Sequence, residues 1–190
     1  GKKLTSYSDG LYLTKIRLNA EHRLYILQEE KHILLVDDLF QYDNLISCKH
    51  GNGKDWWIIA PKALNSKASR ILLHADGDIE NLGDIEFSDN YWRVRSMNSC
   101  KMSPDGSILA RFFMRPNVVF DNLLELFHFD RCEGTIERYF FDSIPLTNRF
   151  TSHGDIEFSD FGLFWYIANS TRLFTFFLQT SHFFSQLCPI

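Results

Sequence analysis

Apolar and polar positions alternate along most of this chain in short runs, each cut off by a turn rich in glycine, aspartate or asparagine. One stretch sets the pattern: His50-Gly51-Asn52-Gly53-Lys54-Asp55-Trp56-Trp57-Ile58-Ile59-Ala60-Pro61. It reads as a tight turn feeding a strand of aromatic and β-branched residues. Lys101–Phe113, with the turn Ser103-Pro104-Asp105-Gly106, repeats it more weakly, and Glu157–Ala168, with Gly162, does so again. In the middle copy proline presets φ, and aspartate and glycine tolerate the conformations that a tight turn demands. Aligned on Gly53, Gly106 and Gly162, the unit recurs at roughly fifty-residue intervals.

Each full unit has room for four strands. In the first, Leu45–Cys48, Asp55–Ala60 and Arg70–His74 are strands, and Asp76-Gly77 is a hairpin leading to a fourth within Ile79–Phe87. The next runs Met97–Met102, Ile108–Phe113 and Leu123–Phe129, then turns at Asp130–Gly134 into Ile136–Phe141. A last unit has Asp155–Phe158, Leu163–Ala168 and Arg172–Leu178, and its pattern does not finish cleanly. Ahead of these, Gly10–Leu18 alternates as one half-buried strand, followed by the apolar runs Leu24–Leu27 and His32–Val36. That region reads as the outer strands of a unit whose beginning is missing. Four antiparallel strands per unit at this spacing predict an all-β fold, a β-propeller with about three blades present. We expect a single partial domain with units at 1–43, 44–96, 97–150 and 151–190. Propellers close with four to eight blades, so the chain reads as a fragment of a larger ring. The heptapeptide Gly-Asp-Ile-Glu-Phe-Ser-Asp occurs at Gly83–Asp89 and Gly154–Asp160, at different places relative to the turns, and does not set the register.

Composition narrows this further. The chain has 190 residues, 45% of them hydrophobic and 15% aromatic, which suffices for a real core and excludes disorder. A net charge of −4 with scattered Lys and Arg argues against nucleic acid, whose phosphates need a clustered basic face. The most apolar region, Phe161–Phe184, is interrupted by polar residues, so no membrane span is expected. No signal peptide is visible at Gly1. Cys48, Cys100, Cys132 and Cys188 are too scattered for a disulfide framework or a metal site. Cys48 and Cys100 hold similar places before the repeated turn, so they are expected on neighbouring inner strands, as buried thiols in preference to a bridge.

HGNGKDWW (His50–Trp57), Ser103-Pro104-Asp105-Gly106 and Leu126–Gly134 together resemble a family of secreted propeller proteins from Bacteroidetes-type bacteria. There an HGNGRDWW segment, an FSPDG turn and a DFDRCTG-like hairpin follow one another in this order. The resemblance covers most of the chain. It implies a WD40/YVTN-like propeller in an exported or cell-surface protein, often one carrying a type IX secretion sorting domain, and brings no catalytic residues. Lys54 stands where the family has arginine, and Met102 where it has phenylalanine.

Candidate chemistry is sparse. His50 and Asp55 flank the turn and are expected to form a His–Asp network tying strands together; the alternative, a general base, lacks a nucleophile at fixed spacing. Trp56 and Trp57 must face opposite sides of a strand, one in the core and one free to line a face or stack on a ligand. Gly51–Lys54 is not a phosphate loop, because Asp55 and a strand follow Lys54. Asp76, Asp78, Glu80 and Asp84 lack calcium-loop spacing and read as a solvated hairpin. The pairs His74/Asp76, His128/Asp130 and His153/Asp155 read as strand ends, not metal ligands. The blade motif is therefore expected to be structural: His50, Gly51, Gly53, Asp55, Trp56, Trp57, Pro104, Asp105, Gly106 and Gly162, with no catalytic residue, metal or cofactor assigned. The function that fits is a non-enzymatic scaffold binding a protein or glycan at one propeller face; the alternative is a lactonase or glycan-processing hydrolase with its site in the central channel.

Overall fold

The computed structural model describes residues 7–41, 44–63, 65–87, 99–114, 121–145, 154–160, 164–169 and 173–177. These form a β-propeller segment, and the one helical turn among them is a 3-10 turn at Gln28–Glu30. The leading portion holds six short strands: β1 (Tyr7–Ser8), β2 (Leu11–Leu13), β3 (Arg17–Leu18), β4 (Leu24–Tyr25), β5 (Ile33–Val36) and β6 (Phe40–Gln41). They pair β1 with β6, β2 with β5 and β3 with β4, all antiparallel, so the ladders nest into one long interrupted hairpin. The single strand expected over Gly10–Leu18 is thus broken after Leu13. The break has a local cause: the Lys15 amide donates to the Glu30 carbonyl (3.0 Å) and the His32 amide to Thr14 Oγ1 (3.3 Å), which takes these groups out of the ladder. At the tip, Asn19 Oδ1 accepts the Glu21 and Arg23 amides (3.0 and 2.8 Å), an asparagine-built turn.

The first blade follows: β7 (Ile46–Lys49), β8 (Trp56–Pro61), β9 (Lys67–Leu73) and β10 (Ile79–Glu86), one antiparallel four-stranded sheet in that order. The second, β11 (Ser99–Met102), β12 (Ile108–Met114), β13 (Asp121–Asp130) and β14 (Thr135–Pro145), repeats the topology. Of the third, β15 (Gly154–Phe158), β16 (Phe164–Asn169) and β17 (Leu173–Phe177) are described. In these three blades the strands read from the sequence match those observed, to within a few residues at their ends. The two copies of the heptapeptide do sit differently: the first begins in β10, a fourth strand, and the second in β15, a first strand.

Strand periodicity explains how the blades stack. Successive side chains on a strand face opposite sides, so each blade presents two apolar faces. Ile46, Cys48, Trp57, Ile59 and Leu72 of the first blade pack against Cys100, Leu109, Phe127 and Phe129 of the second. On the other side of the second blade, Ile108, Ala110, Phe112, Leu124 and Leu126 meet Ile156 and Phe158 of the third. Being covered on both sides, β12 reads Ile-Leu-Ala-Arg-Phe-Phe-Met, nearly continuous in apolar residues. Burial of these apolar side chains away from water holds neighbouring blades together.

Candidate functional site

The turn between β7 and β8 is built by its own residues. The His50 amide donates to the Asp55 carbonyl (2.9 Å) and the Gly53 amide to the His50 carbonyl (2.9 Å). Asn52 Oδ1 accepts the amides of Lys54 and Asp55 (2.9 and 3.1 Å), and the Asn52 amide donates to His50 Nδ1 (3.0 Å). An imidazole that accepts at Nδ1 carries its proton on Nε2. His50 Nε2 accordingly donates to the Cys132 carbonyl, 3.1 Å away in the β13–β14 hairpin of the second blade.

That bond is one of a set joining the two blades. The Trp57 indole N–H and the Gly51 amide both donate to the Arg131 carbonyl (2.8 and 2.9 Å). The Arg131 guanidinium returns two bonds to the first blade, to the carbonyls of Lys49 (3.0 Å) and His50 (3.4 Å), and makes a third within its own blade to the Asp105 carbonyl (3.0 Å). Arg70 reaches from β9 to the Glu133 carbonyl (2.7 Å) and, across its own blade, to the Leu82 carbonyl (2.8 Å). Trp57 is 1% exposed, with its ring 5.4 Å from that of His50 and edge-on to Phe129 at 6.2 Å. HGNGKDWW and Asp130–Gly134, far apart in sequence, are thus the two halves of one inter-blade clasp. His50 and Asp55 do not form the direct network expected of them. Asp55 turns the other way, accepting from Asn52 Nδ2 (2.8 Å), the Ala75 amide (2.9 Å) and His74 Nδ1 (3.3 Å).

The Asn52 amide group and the Ala75 amide hold the Asp55 carboxyl below the usual carboxylate range. His74 lies between Asp55 and Glu80, whose Oε2 is 3.5 Å from Nε2. Partial burial opposes charging this ring, but the two carboxylates outweigh it and raise its pKa. The acidic run is not uniformly solvated as the sequence suggested. Asp84 sits at a bulge in β10, where it accepts from Lys62 Nζ (2.8 Å) and Ser69 Oγ (3.2 Å). Lys62 also bridges to Asp38 (2.8 Å), fastening the leading hairpin to the first blade.

Among the other expected motif residues, Trp56 is 41% exposed on the blade face opposite Trp57, with Lys49 Nζ 5.9 Å from its ring centre. Pro104 is exposed at the turn, while Asp105 organises it by accepting from Ser103 Oγ (2.6 Å) and Ser107 Oγ (2.7 Å). Burial would raise the Asp105 carboxyl, yet these hydroxyls, the Ser107 amide and Arg131 hold it low. Gly106 packs on Cys48. Gly162 and His153 lie outside the described residues. His128 stacks on Tyr139 (4.2 Å between ring centres), and Asp130 Oδ1 accepts the Cys132 and Glu133 amides. Among the described residues no group of three or more His, Cys, Asp or Glu side chains is placed to hold a metal ion. Cys48 and Cys100 are free buried thiols on the adjoining strands β7 and β11, and burial pushes both up to about 12. Cys132 is disulfide-bonded.

Two arrangements were not expected. Arg111 on β12 pairs with Glu125 on β13 (2.9 Å) at 1% and 0% side-chain exposure, between the first and second blades. The guanidinium lies 4.0 Å from the centre of the Phe113 ring and 5.4 Å from that of Phe87, and Arg138 approaches the other Glu125 oxygen at 3.4 Å. The signal available in sequence was a single charge centred in each of two apolar strands, Leu-Ala-Arg-Phe-Phe and Leu-Leu-Glu-Leu-Phe. The second is Lys101 on β11, 3.2 Å from Glu157 on β15, both partly exposed. β7, β11 and β15 are the innermost strands of their blades, so this pair lies at the inner rim, where solvent reaches it. An ammonium beside a carboxylate there can orient a carbonyl or carboxylate and accept a hydroxyl proton. Among the described residues no helix is long and apolar enough to cross a membrane.

No protein-family model matches the chain, and no curated protein sequence matches it. Solved structures do resemble it. The periplasmic gluconolactonase PpgL of Pseudomonas aeruginosa superimposes with a TM-score of 0.58 at 13% identity, over 90% of this chain and 44% of that one. A protein from Lactobacillus plantarum gives 0.50 at 13% identity (87% and 47% covered). A functionally unknown protein from Desulfotomaculum acetoxidans gives 0.50 at 16% identity (94% and 54%). The chain therefore spans about half the length of the structures it matches, and at these identities what it shares with them is the propeller fold.

Proposed function

We propose that this chain is part of an exported propeller hydrolase of the lactonase type, acting on a small polyhydroxylated lactone at the inner rim. One observation carries the reading: the Lys101–Glu157 pair, an exposed ammonium and carboxylate 3.2 Å apart on two innermost strands of a blade stack whose interior is otherwise mostly apolar. In this proposal Lys101 polarises the ring carbonyl, and Glu157 takes a proton as water adds to the carbonyl carbon. The ring C–O bond then breaks, its oxygen takes up the proton, and a hydroxy acid is released. No cofactor enters. Similarity in fold to a protein described as a periplasmic gluconolactonase supports the choice of substrate class, and the disulfide at Cys132 supports an oxidising compartment. Kinship with the secreted Bacteroidetes-type family and a sorting domain elsewhere in the protein belong to the same proposal.

The test is acid release from glucono-δ-lactone by the protein of the complete gene, followed by pH-stat. Lys101→Met and Glu157→Gln should each lower kcat at least about a hundredfold. A rate equal to the buffer blank would overturn the proposal. It would leave the scaffold reading, for which the exposed Trp56 beside Lys49 is the specific support, as a stacking surface for a glycan or protein partner.

A further inference from the structure

The seam where the leading hairpin meets the first blade holds a cavity of about 410 Å³, a size at which pockets take up small molecules. Ser8 of β1, Phe40 and Gln41 of β6, Asn44, and Ala60 and Pro61 of β8 line it. Phe40, Asn44, Ala60 and Pro61 are buried and form its floor, whereas Leu45 is exposed and stands at the mouth. Bonds across the seam hold the walls in place. The Ala63 amide donates to the Leu39 carbonyl (2.7 Å), Phe40 forms a bridge with Lys62, and Lys62 Nζ lies 2.8 Å from both Asp38 and Asp84. The space is therefore built into the fold and needs no closing movement.

Two features of the lining specify what would fit. None of its residues carries a charge, and the adjacent Lys62 is already held by two carboxylates. Asn44, 5% exposed, donates from Nδ2 to Gln41 Oε1 (3.1 Å), while its Oδ1 accepts no hydrogen bond among the described residues. Buried amide oxygens are normally paired, so one left open at a cavity marks the place of a donor. We propose that the cavity is a binding site for a small uncharged molecule with an apolar body and a hydroxyl or N–H group that donates to Asn44 Oδ1. Phe40, Ala60 and Pro61 receive the apolar body. An anion would meet the Asn44 oxygen with no cation to balance it, an ammonium would find no counter-charge, and a wholly apolar ligand would leave Oδ1 unpaired. Neither member of the inner-rim pair lines this cavity, so the site stands apart from the proposed lactone chemistry.

The probe is cinnamyl alcohol, titrated into the protein of the complete gene and compared with cinnamyl methyl ether, which has no donor, and with the anion cinnamate. Calorimetry gives the affinity, and NMR shifts of the Asn44 side-chain amide and the Leu11 and Leu45 methyls give the place. We expect saturable one-to-one binding of the alcohol at these signals, with the ether and the anion each weaker by at least about tenfold. Asn44→Leu, close in volume, should abolish the preference for the alcohol over the ether. Should that variant not fold, the wild-type series alone decides. A cavity that holds only water gives no saturation and overturns the proposal. So does saturation with shifts confined to other residues, or an ether or anion that binds as tightly as the alcohol.

Discussion

Gly134 lies directly beneath the indole of Trp57. A Cβ at residue 134 would come within 2.7 Å of Trp57 Cη2 and 2.8 Å of Arg70 Cδ. The backbone there has φ +64°, where a side chain is strained in any case. The Trp57 ring cannot retreat, because its N–H is fixed to the Arg131 carbonyl. Gly134→Ala is therefore expected to destabilise the protein by about 2–3 kcal/mol, combining backbone strain with overpacking. Gly77→Ala shares the strained φ (+93°) but has nothing within 4 Å of its Cβ, so it should cost only about 1 kcal/mol. Urea midpoints of the two variants check this: equal losses would mean that the contact with Trp57 does not matter.

Gly106 tests the middle turn. Its φ is +74°, and an added Cβ would sit 3.1 Å from the Cβ of Cys48 in the preceding blade. Gly106→Val should unfold the second blade or cost more than about 3 kcal/mol. Lys54→Ala, at an exposed turn position, should stay within about 0.5 kcal/mol of wild type. Similar urea melts for both would contradict the register.

The buried Arg111–Glu125 pair predicts a sign reversal between single and double changes. Glu125→Gln leaves the Arg111 charge uncompensated in an apolar interface and should cost about 3–5 kcal/mol. Arg111→Met combined with Glu125→Leu removes both charges and should recover most of that loss. A double variant no more stable than Glu125→Gln in urea would refute it.

His74 gives the pH dependence. Its folded pKa is raised above the ordinary 6.5. Its contribution is therefore complete below the unfolded value and is lost as pH rises through the folded one. The melting temperature of wild type should exceed that of His74→Gln by more at about pH 5.5 than at about pH 8.5. An equal or larger gap at alkaline pH would overturn the assignment.

The strand order was legible because alternation and turn chemistry are local: Asp76-Gly77, Asp105-Gly106 and Cys132–Gly134 mark turns wherever they occur. What joins the blades was not. His50 and Cys132 are separated by 82 positions, and no spacing rule connects them, although both lie in segments that carry the family resemblance. The side-chain partner of Asp55 is not His50, its neighbour along the chain, because β8 and β9 bring His74 to it from across the sheet. The inner-rim pair Lys101–Glu157 was invisible for a similar reason: both are ordinary strand charges until β11 and β15 are set side by side.

The clasp between the blades draws its acceptors almost wholly from main-chain carbonyls: those of Lys49, His50, Arg131, Cys132 and Glu133. A carbonyl survives any substitution of its own residue, so the receiving surface is insulated from mutation at most of its positions. The donors His50, Trp57, Arg70 and Arg131 and the small residue Gly134 are the elements that sequence drift could destroy. A propeller that grows by duplicating blades could let most of each copy diverge, provided these few anchors are retained where copies meet.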